Sequence, residues 1–121
     1  MIADELFQRI GRIDFTQIDL DKALDNRDLP EFDDEWVRVF EELETIKREK
    51  GFSEENKKIS DNIREKVYLK VYGMTQDDDI AAYISDDFGL ICDSELLNYK
   101  DELLEKFIKC YHNSQFPYGE L

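Results

Sequence analysis

The apolar residues of this chain recur mainly at the three- and four-residue spacing that is typical of amphipathic helices. In the longest example, each of Ile59, Ile63, Val67 and Val71 follows the one before it by four positions. A strand-like alternation of apolar and polar residues extends over no more than about four positions, and its nearest candidate is residues 67–72. The pattern therefore predicts an all-α fold of five or six short amphipathic helices in a compact, mostly antiparallel bundle.

Start and stop signals divide the chain into these helices. Thr16, Ser53 and Thr75 are candidate N-terminal caps, since a hydroxyl oxygen accepts hydrogen bonds from the free backbone N–H groups of a first turn. Gly51 and Gly73 are candidate ends, because glycine adopts the left-handed conformation that closes many helices. The predicted helices span roughly residues 2–12, 17–26, 33–50, 54–72, 76–98 and 100–112.

The third predicted helix opens with three acidic residues, Asp33–Glu35, which complement the positive end of the helix dipole. Its apolar positions form one stripe, which we assign to the core. The stripe consists of Trp36, Val37, Phe40 and Leu43.

The fifth predicted helix is open to two interpretations, because Gly89 lies within it. A glycine inside a helix costs about 1 kcal/mol relative to alanine, which favours two shorter helices with the second capped near Ser85. The apolar stripe nevertheless continues through the glycine from Ile80 to Ile91. We therefore favour one continuous or kinked helix.

The length of 121 residues predicts one domain with its own core. We expect a single helical domain over residues 1–121, in which residues 113–121 form an irregular tail along the surface. The start, Met1–Glu5, is acidic where a signal peptide is basic and then apolar, and no apolar run approaches the ~20 residues that span a membrane. Cys92 and Cys110, the only cysteines, are expected to be reduced structural thiols in a cytoplasmic protein.

The charge of the chain is strongly negative, at −14, with 30 acidic residues against 16 basic ones. Such a charge opposes binding to nucleic acid and to anionic membranes, and it favours fast capture of basic partners. Residues 14–44 hold twelve acidic residues against three basic ones, and residues 75–105 hold ten against one. Residues 45–70 between them hold eight basic residues against five acidic ones, so part of the acidic surface could instead dock on this segment within the fold.

Five aspartates, Asp77, Asp78, Asp79, Asp86 and Asp87, lie within eleven positions. Asp77 and Asp78 fit the first turn of a helix, and Asp79 and Asp86 are two turns apart on one face. The first three are consecutive with no glycine after them, which does not match a calcium-binding loop. The chain has one histidine, which argues against a metal site, and it contains no Gly-rich phosphate loop, Gly-x-Ser-x-Gly or Cys-x-x-Cys motif. We therefore predict no metal ion, no cofactor and no catalytic residue.

The stretches Y-I-S-D-D-F-G-L-I (83–91) and Y-K-D-E-L-L (99–104), in a short acidic chain, resemble the small acidic immunity proteins of bacterial polymorphic-toxin and contact-dependent inhibition systems. The resemblance implies a cytosolic, non-enzymatic protein that binds and blocks a toxin domain, commonly a basic nuclease. The negative charge and the absence of a long apolar run separately predict no direct binding of nucleic acid and no membrane association.

Under this hypothesis, acidic helical faces cover a basic toxin surface. One alternative is a nucleic-acid mimic or regulator that competes for a DNA- or RNA-binding protein, and a second is a carboxylate- or metal-dependent enzyme. The candidate partner-binding residues are Asp77, Asp78, Asp79, Tyr83, Asp86 and Asp87, with Asp33, Asp34 and Glu35 as a second set.

Overall fold

The computed structural model describes residues 1–121 and contains six α-helices and no strand. The all-α prediction is therefore confirmed. A single turn of 3-10 helix, Phe15–Gln17, lies between the first two helices. The helices are α1 (Ile2–Ile10), α2 (Leu20–Arg27), α3 (Pro30–Lys50), α4 (Glu54–Thr75), α5 (Asp78–Leu96) and α6 (Glu102–His112).

Helix α5 is the centre of the bundle. It packs against every other helix, and twelve of its nineteen residues are buried. Its most extensive contact is with α4, which runs antiparallel to it because only two residues, Gln76 and Asp77, connect them. The apolar stripe of α5 faces a core to which α1, α3, α4 and α6 each contribute buried side chains. Such burial stabilises the fold by roughly 25 cal/mol per Å² of apolar surface.

The favoured interpretation of the fifth helix is correct, since α5 continues through Gly89 without a break. The glycine permits a close approach of α4. A β-carbon at this position would lie 2.9 Å from Cδ of Arg64, so the arginine side chain lies across the surface that an alanine would fill. A glycine within a helix is less favourable in free energy than an alanine, and at Gly89 this cost accompanies the tight packing of α4 on α5.

Two of the predicted caps lie elsewhere in the structure. Thr16 is in the 3-10 turn, and α2 is capped by Asp19, whose carboxylate accepts a hydrogen bond from the backbone N–H of Lys22. Thr75 is the last residue of α4, and Asp77 caps α5 instead. Aspartates therefore cap the two helices for which we predicted threonine caps.

The remaining boundaries are close to those predicted. Ser53 caps α4 and Gly51 follows α3, as expected. Helix α3 begins three residues early, at Pro30, because proline has no N–H to satisfy at a first helical position. Helix α4 passes Gly73 and ends two residues later.

The core stripe assigned to α3 is partly wrong. Val37 and Phe40 are 36% and 42% exposed, whereas Phe32, Val39 and Leu43 are buried. Helix α3 carries apolar residues around more than half of its circumference, and it packs through the flank that contains the buried three. The other flank leaves an aromatic and an aliphatic side chain at the surface.

Residues 113–121 contain no helix, as expected, but they do not simply lie along the surface. Phe116 is 4% exposed and belongs to the core, and Pro117 beside it is also buried. Tyr118 and the residues after it are exposed. The tail is thus attached to the bundle through its middle.

The two cysteines differ in their surroundings. Cys92 is buried in α5, and burial raises the pKa of its thiol to about 12. Cys110 in α6 is only partly buried. None of the six helices combines the length and the apolar character needed to cross a lipid bilayer.

Candidate functional site

The most deeply buried charge in the chain is Asp87, which has no solvent exposure. Both of its oxygens accept hydrogen bonds from Arg27, at 2.7 and 2.9 Å, so the two side chains form a bidentate ion pair between α5 and the end of α2. The expectation that Asp87 contacts a partner is therefore incompatible with its position in the fold. An unpaired carboxylate at this depth would be strongly unfavourable, and the guanidinium compensates it.

Two further donors complete the hydrogen bonding of Asp87. The indole N–H of Trp36 donates to Oδ1 at 3.0 Å, and the hydroxyl of Tyr111 donates to Oδ2 at 2.6 Å. Burial and the nearby carboxylate raise the pKa of Tyr111 well above its ordinary value. We call these four residues, Arg27, Trp36, Asp87 and Tyr111, the Asp87 cluster. Through it α2, α3, α5 and α6 share one set of hydrogen bonds.

Aromatic rings enclose the guanidinium of Arg27. Its Cζ lies 4.6 to 5.5 Å from the ring centroids of Phe32, Tyr83, Phe107 and Phe116, which is within the range of cation–π attraction. Burial alone would lower the pKa of Arg27, but the adjacent Asp87 outweighs it and the net shift is upward. Arg27 also donates to the carbonyl oxygen of Pro117 at 3.3 Å, which ties the C-terminal tail to the cluster.

A small cavity of about 120 Å³ opens to the surface beside the cluster. It brings together side chains from the two predicted sets of partner-binding residues, since Asp33 of α3 lines it together with Tyr83 and Asp86 of α5. We call this cavity the Trp36 pocket. It is lined by Arg27, Phe32, Asp33, Trp36, Tyr83 and Asp86.

Three of the predicted aspartates, Asp33, Asp34 and Asp79, are exposed and make no side-chain hydrogen bond or ion pair within the chain. Asp79 lies one turn before Tyr83, and its charge contributes to raising the pKa of that tyrosine. Asp86 lies on the same flank of α5 but is paired with Arg64 at 3.0 Å, with both side chains about half exposed. These four carboxylates are therefore accessible to a partner.

The other predicted residues bond within the chain. Asp77 caps α5 by accepting from the backbone N–H groups of Asp79 and Ile80. Asp78 accepts a hydrogen bond from the hydroxyl of Tyr68 at 2.7 Å. Both residues thus stabilise the junction between α4 and α5, and Asp77 does so through Oδ1 alone.

Glu35 lies on the opposite flank of α3 from the pocket. It pairs with Arg38 at 2.6 Å, and Arg38 also binds Asp101, the N-terminal cap of α6, at 3.0 Å. Burial would raise the pKa of Asp101, but the hydrogen bond from Arg38 outweighs it, so the pKa is lowered. This group holds α3 to α6 and is separate from the pocket.

Tyr83 is held in place at the edge of the pocket by Asp28, which follows α2 and accepts the hydrogen bond of the tyrosine hydroxyl. This hydrogen bond and partial burial raise the pKa of Tyr83 to about 12, so the side chain is a neutral donor at physiological pH. The sequence identified Tyr83 but gave no indication of Asp28.

Sequence reasoning also missed the exposed apolar part of α3. Phe40 stacks on Trp36 with ring centroids 5.6 Å apart, and Val37 lies one turn from Asp33 and Asp34. Asp33 lines both the Trp36 pocket and a shallow groove, so the two surfaces meet at this residue. The groove is lined by Asp33, Asp34, Val37, Arg38, Glu41, Glu42, Thr45, Ile46 and Tyr99. We call this surface the acidic face, and it consists of Asp33, Asp34, Trp36, Val37, Phe40, Asp79, Tyr83 and Asp86.

Part of the negative charge is neutralised inside the fold, which is the alternative that the charge pattern left open. Lys47 of α3 binds Asp93 of α5 at 2.7 Å, and Arg64 of α4 binds Asp86. Oδ1 of Asp93 is buried without a hydrogen-bond partner. The structure contains no group of three or more histidine, cysteine, aspartate or glutamate side chains arranged to hold a metal ion.

The fold and site define a small acidic helical protein with accessible carboxylates near the exposed ring of Phe40 and the half-buried rings of Trp36 and Tyr83. The family described as Immunity protein PIM1 matches residues 2–118, which is nearly the whole chain. The chain therefore belongs to this immunity protein family, as the resemblance in its sequence indicated, and membership implies a toxin as its partner. No curated protein sequence matches the chain.

Proposed function

We propose that the protein is a non-enzymatic inhibitor that neutralises a basic toxin of the nuclease type by covering it with the acidic face. The observation that carries this proposal is the coincidence, on one surface, of three unpaired carboxylates with the exposed side chains of Val37 and Phe40. Binding energy at interfaces is concentrated in aromatic anchors, while surrounding charges set orientation and specificity.

The overall charge supports the same mechanism. At −14, the chain attracts a basic domain over distances comparable with the Debye length, about 8 Å at physiological ionic strength. Such steering raises association rates well above those of uncharged pairs. Binding through the acidic face should therefore weaken as salt is added, chiefly through slower association.

The nucleic-acid mimic that the sequence also allowed has less support. Mimicry requires carboxylates at regular, phosphate-like intervals along one surface. On α5 the series of exposed aspartates does not continue beyond Asp86, since Asp87 and Asp93 are buried. A local patch with apolar anchors fits a protein surface better than a copy of a nucleic-acid backbone.

The proposal can be tested with the cognate toxin domain. Kinetic binding measurements would compare the native chain with the variant Asp34→Asn/Asp79→Asn, in which two exposed, unpaired carboxylates become neutral amides. We expect weaker binding by at least about tenfold, mostly in the association rate, and a reduced dependence on salt.

The matched control is Asp61→Asn/Glu65→Gln, which removes the same charge from the exposed side of α4. Both control residues are exposed and make no side-chain bond. If the two variants weaken binding equally, net charge rather than the acidic face is responsible. A toxin domain that does not bind the native chain, or a complex that retains nuclease activity, would refute the proposed function itself.

A further inference from the structure

The Trp36 pocket is a cavity between α2, α3 and α5 that no side chain of the protein fills. Its walls are fixed by hydrogen bonds made behind them. The indole of Trp36 is held by Asp87, and the hydroxyl of Tyr83 is held by Asp28. With a volume of about 120 Å³ it suits one side-chain head group and excludes a folded segment of backbone. A pocket with fixed walls costs little to organise when a partner binds.

The charges around the pocket favour a cation as occupant. Asp33 is unpaired at its edge, and Asp86 shares its carboxylate only with the half-exposed Arg64. The inner wall includes Arg27, but both of its terminal nitrogens bind Asp87 and its side chain is only 4% exposed. The buried pair is therefore neutral as a unit, and the accessible charge is that of the carboxylates.

The shape and lining favour arginine over other cations. Aromatic rings and carboxylates together in one lining match a planar guanidinium, whose five donors form a fixed fork and whose faces stack on rings. Arg27 shows that this chain accommodates a guanidinium among Phe32 and Tyr83. An apolar occupant would desolvate Asp33 and Asp86 without offering them a donor, which is unfavourable.

We infer that the Trp36 pocket receives a single arginine side chain of the toxin, which inserts between Trp36 and Tyr83 and donates hydrogen bonds to Asp33 and Asp86. This inference rests on the proposed function, because it names the part of the toxin that the acidic face recognises. It makes Asp33 the most important of the exposed carboxylates and leaves Asp34 and Asp79 with a general electrostatic role.

The first test uses the isolated protein and small probes. Trp36 is the only tryptophan, so its indole N–H gives one resolved signal in a heteronuclear NMR spectrum. Titration with N-acetyl-arginine amide should shift this signal in a saturable way, and N-acetyl-lysine amide should do so more weakly. N-acetyl-citrulline amide has nearly the same shape without the charge and should cause no saturable shift. Equal responses to the arginine and citrulline probes, or no response to arginine, would overturn the inference.

The second test asks whether Asp33 is the acceptor. Asp33→Asn should weaken the binding of both the arginine probe and the toxin domain by about tenfold, which is the size expected when one charge-assisted hydrogen bond is lost. Asp61→Asn makes the same substitution on α4 and should leave both unchanged. If the native chain and Asp33→Asn bind the toxin equally well, the inferred role of the pocket is refuted but the proposed function still stands. Failure of the native chain to bind the toxin would refute the proposed function, whatever the arginine probe does.

Discussion

Replacing Asp87 with alanine should destabilise the protein more than any other single loss of an acidic side chain. Asp87 is fully buried and accepts four hydrogen bonds, two from Arg27 and one each from Trp36 and Tyr111. Its removal leaves the guanidinium of Arg27 in the interior without a counterion. Breaking a buried ion pair in this way costs about 3–5 kcal/mol, and the two orphaned neutral donors add to that cost.

This cost is large relative to the total stability of a small domain, about 5–15 kcal/mol. With a denaturant slope of about 2 kcal/mol per molar urea, a loss of about 4 kcal/mol lowers the unfolding midpoint by about 2 M. The assay is urea unfolding at neutral pH, followed by far-ultraviolet circular dichroism and by the fluorescence of Trp36. Agreement between the two probes checks that the transition is two-state.

The adjacent acidic residue provides the control. Asp86 is about half exposed and paired with Arg64, so Asp86→Ala should cost no more than about 1 kcal/mol. A cost of Asp87→Ala as small as that of Asp86→Ala would refute the reasoning, since it would mean that water reaches Arg27 and replaces the carboxylate.

Three further predictions concern stability. Gly73→Ala, where a β-carbon meets nothing within 4 Å, should stabilise the fold by about 0.5–1 kcal/mol and so raise the melting temperature by a few degrees. Gly51→Ala, at a φ of 83°, should lower the melting temperature in the same thermal scan. Phe116→Ala should cost about 3–5 kcal/mol in urea unfolding, and Tyr118→Ala, at an exposed site, within about 0.5 kcal/mol. The folded pKa of Asp101 lies below its unfolded value near 3.8, so its stabilising effect is complete above that value and is lost as the pH falls through the folded pKa. The difference in urea midpoint between the native chain and Asp101→Asn should therefore stay constant from neutral pH down to about pH 5 and shrink as the pH falls below 3.8, and a difference that stays constant in acid would contradict this assignment.

Much of the fold was predictable because helical period and capping residues are local signals. The stripe from Ile80 to Ile91 identified α5 as one helix in spite of Gly89. The packed face of α3 was not predictable in the same way, since the helix has apolar residues on two flanks. Only tertiary contacts decide that Val39 is buried and Phe40 is exposed.

The role of Asp87 was misjudged, although the sequence carried a signal for it. Ile80, Ile84, Asp87 and Ile91 follow one another at i, i+4, i+7 and i+11, so the aspartate lies on the apolar stripe of α5. Asp86 is one position away and points elsewhere. An acidic residue on such a stripe predicts a buried ion pair, but its partner, Arg27, lies 60 positions earlier, and its identity depends on the tertiary fold.

We expect the Asp87 cluster to influence the acidic face through geometry as well as through stability. Apolar replacement of both members of a buried ion pair is often neutral or stabilising, so Arg27→Met/Asp87→Leu should be more stable than Asp87→Ala. That double variant nevertheless removes the acceptor that orients the indole of Trp36 and the donor that holds the carbonyl of Pro117. A variant that keeps the stability of the native chain but binds the toxin less tightly would separate the two effects. The buried charges would then serve to hold the pocket wall in one orientation, which an apolar core does not specify.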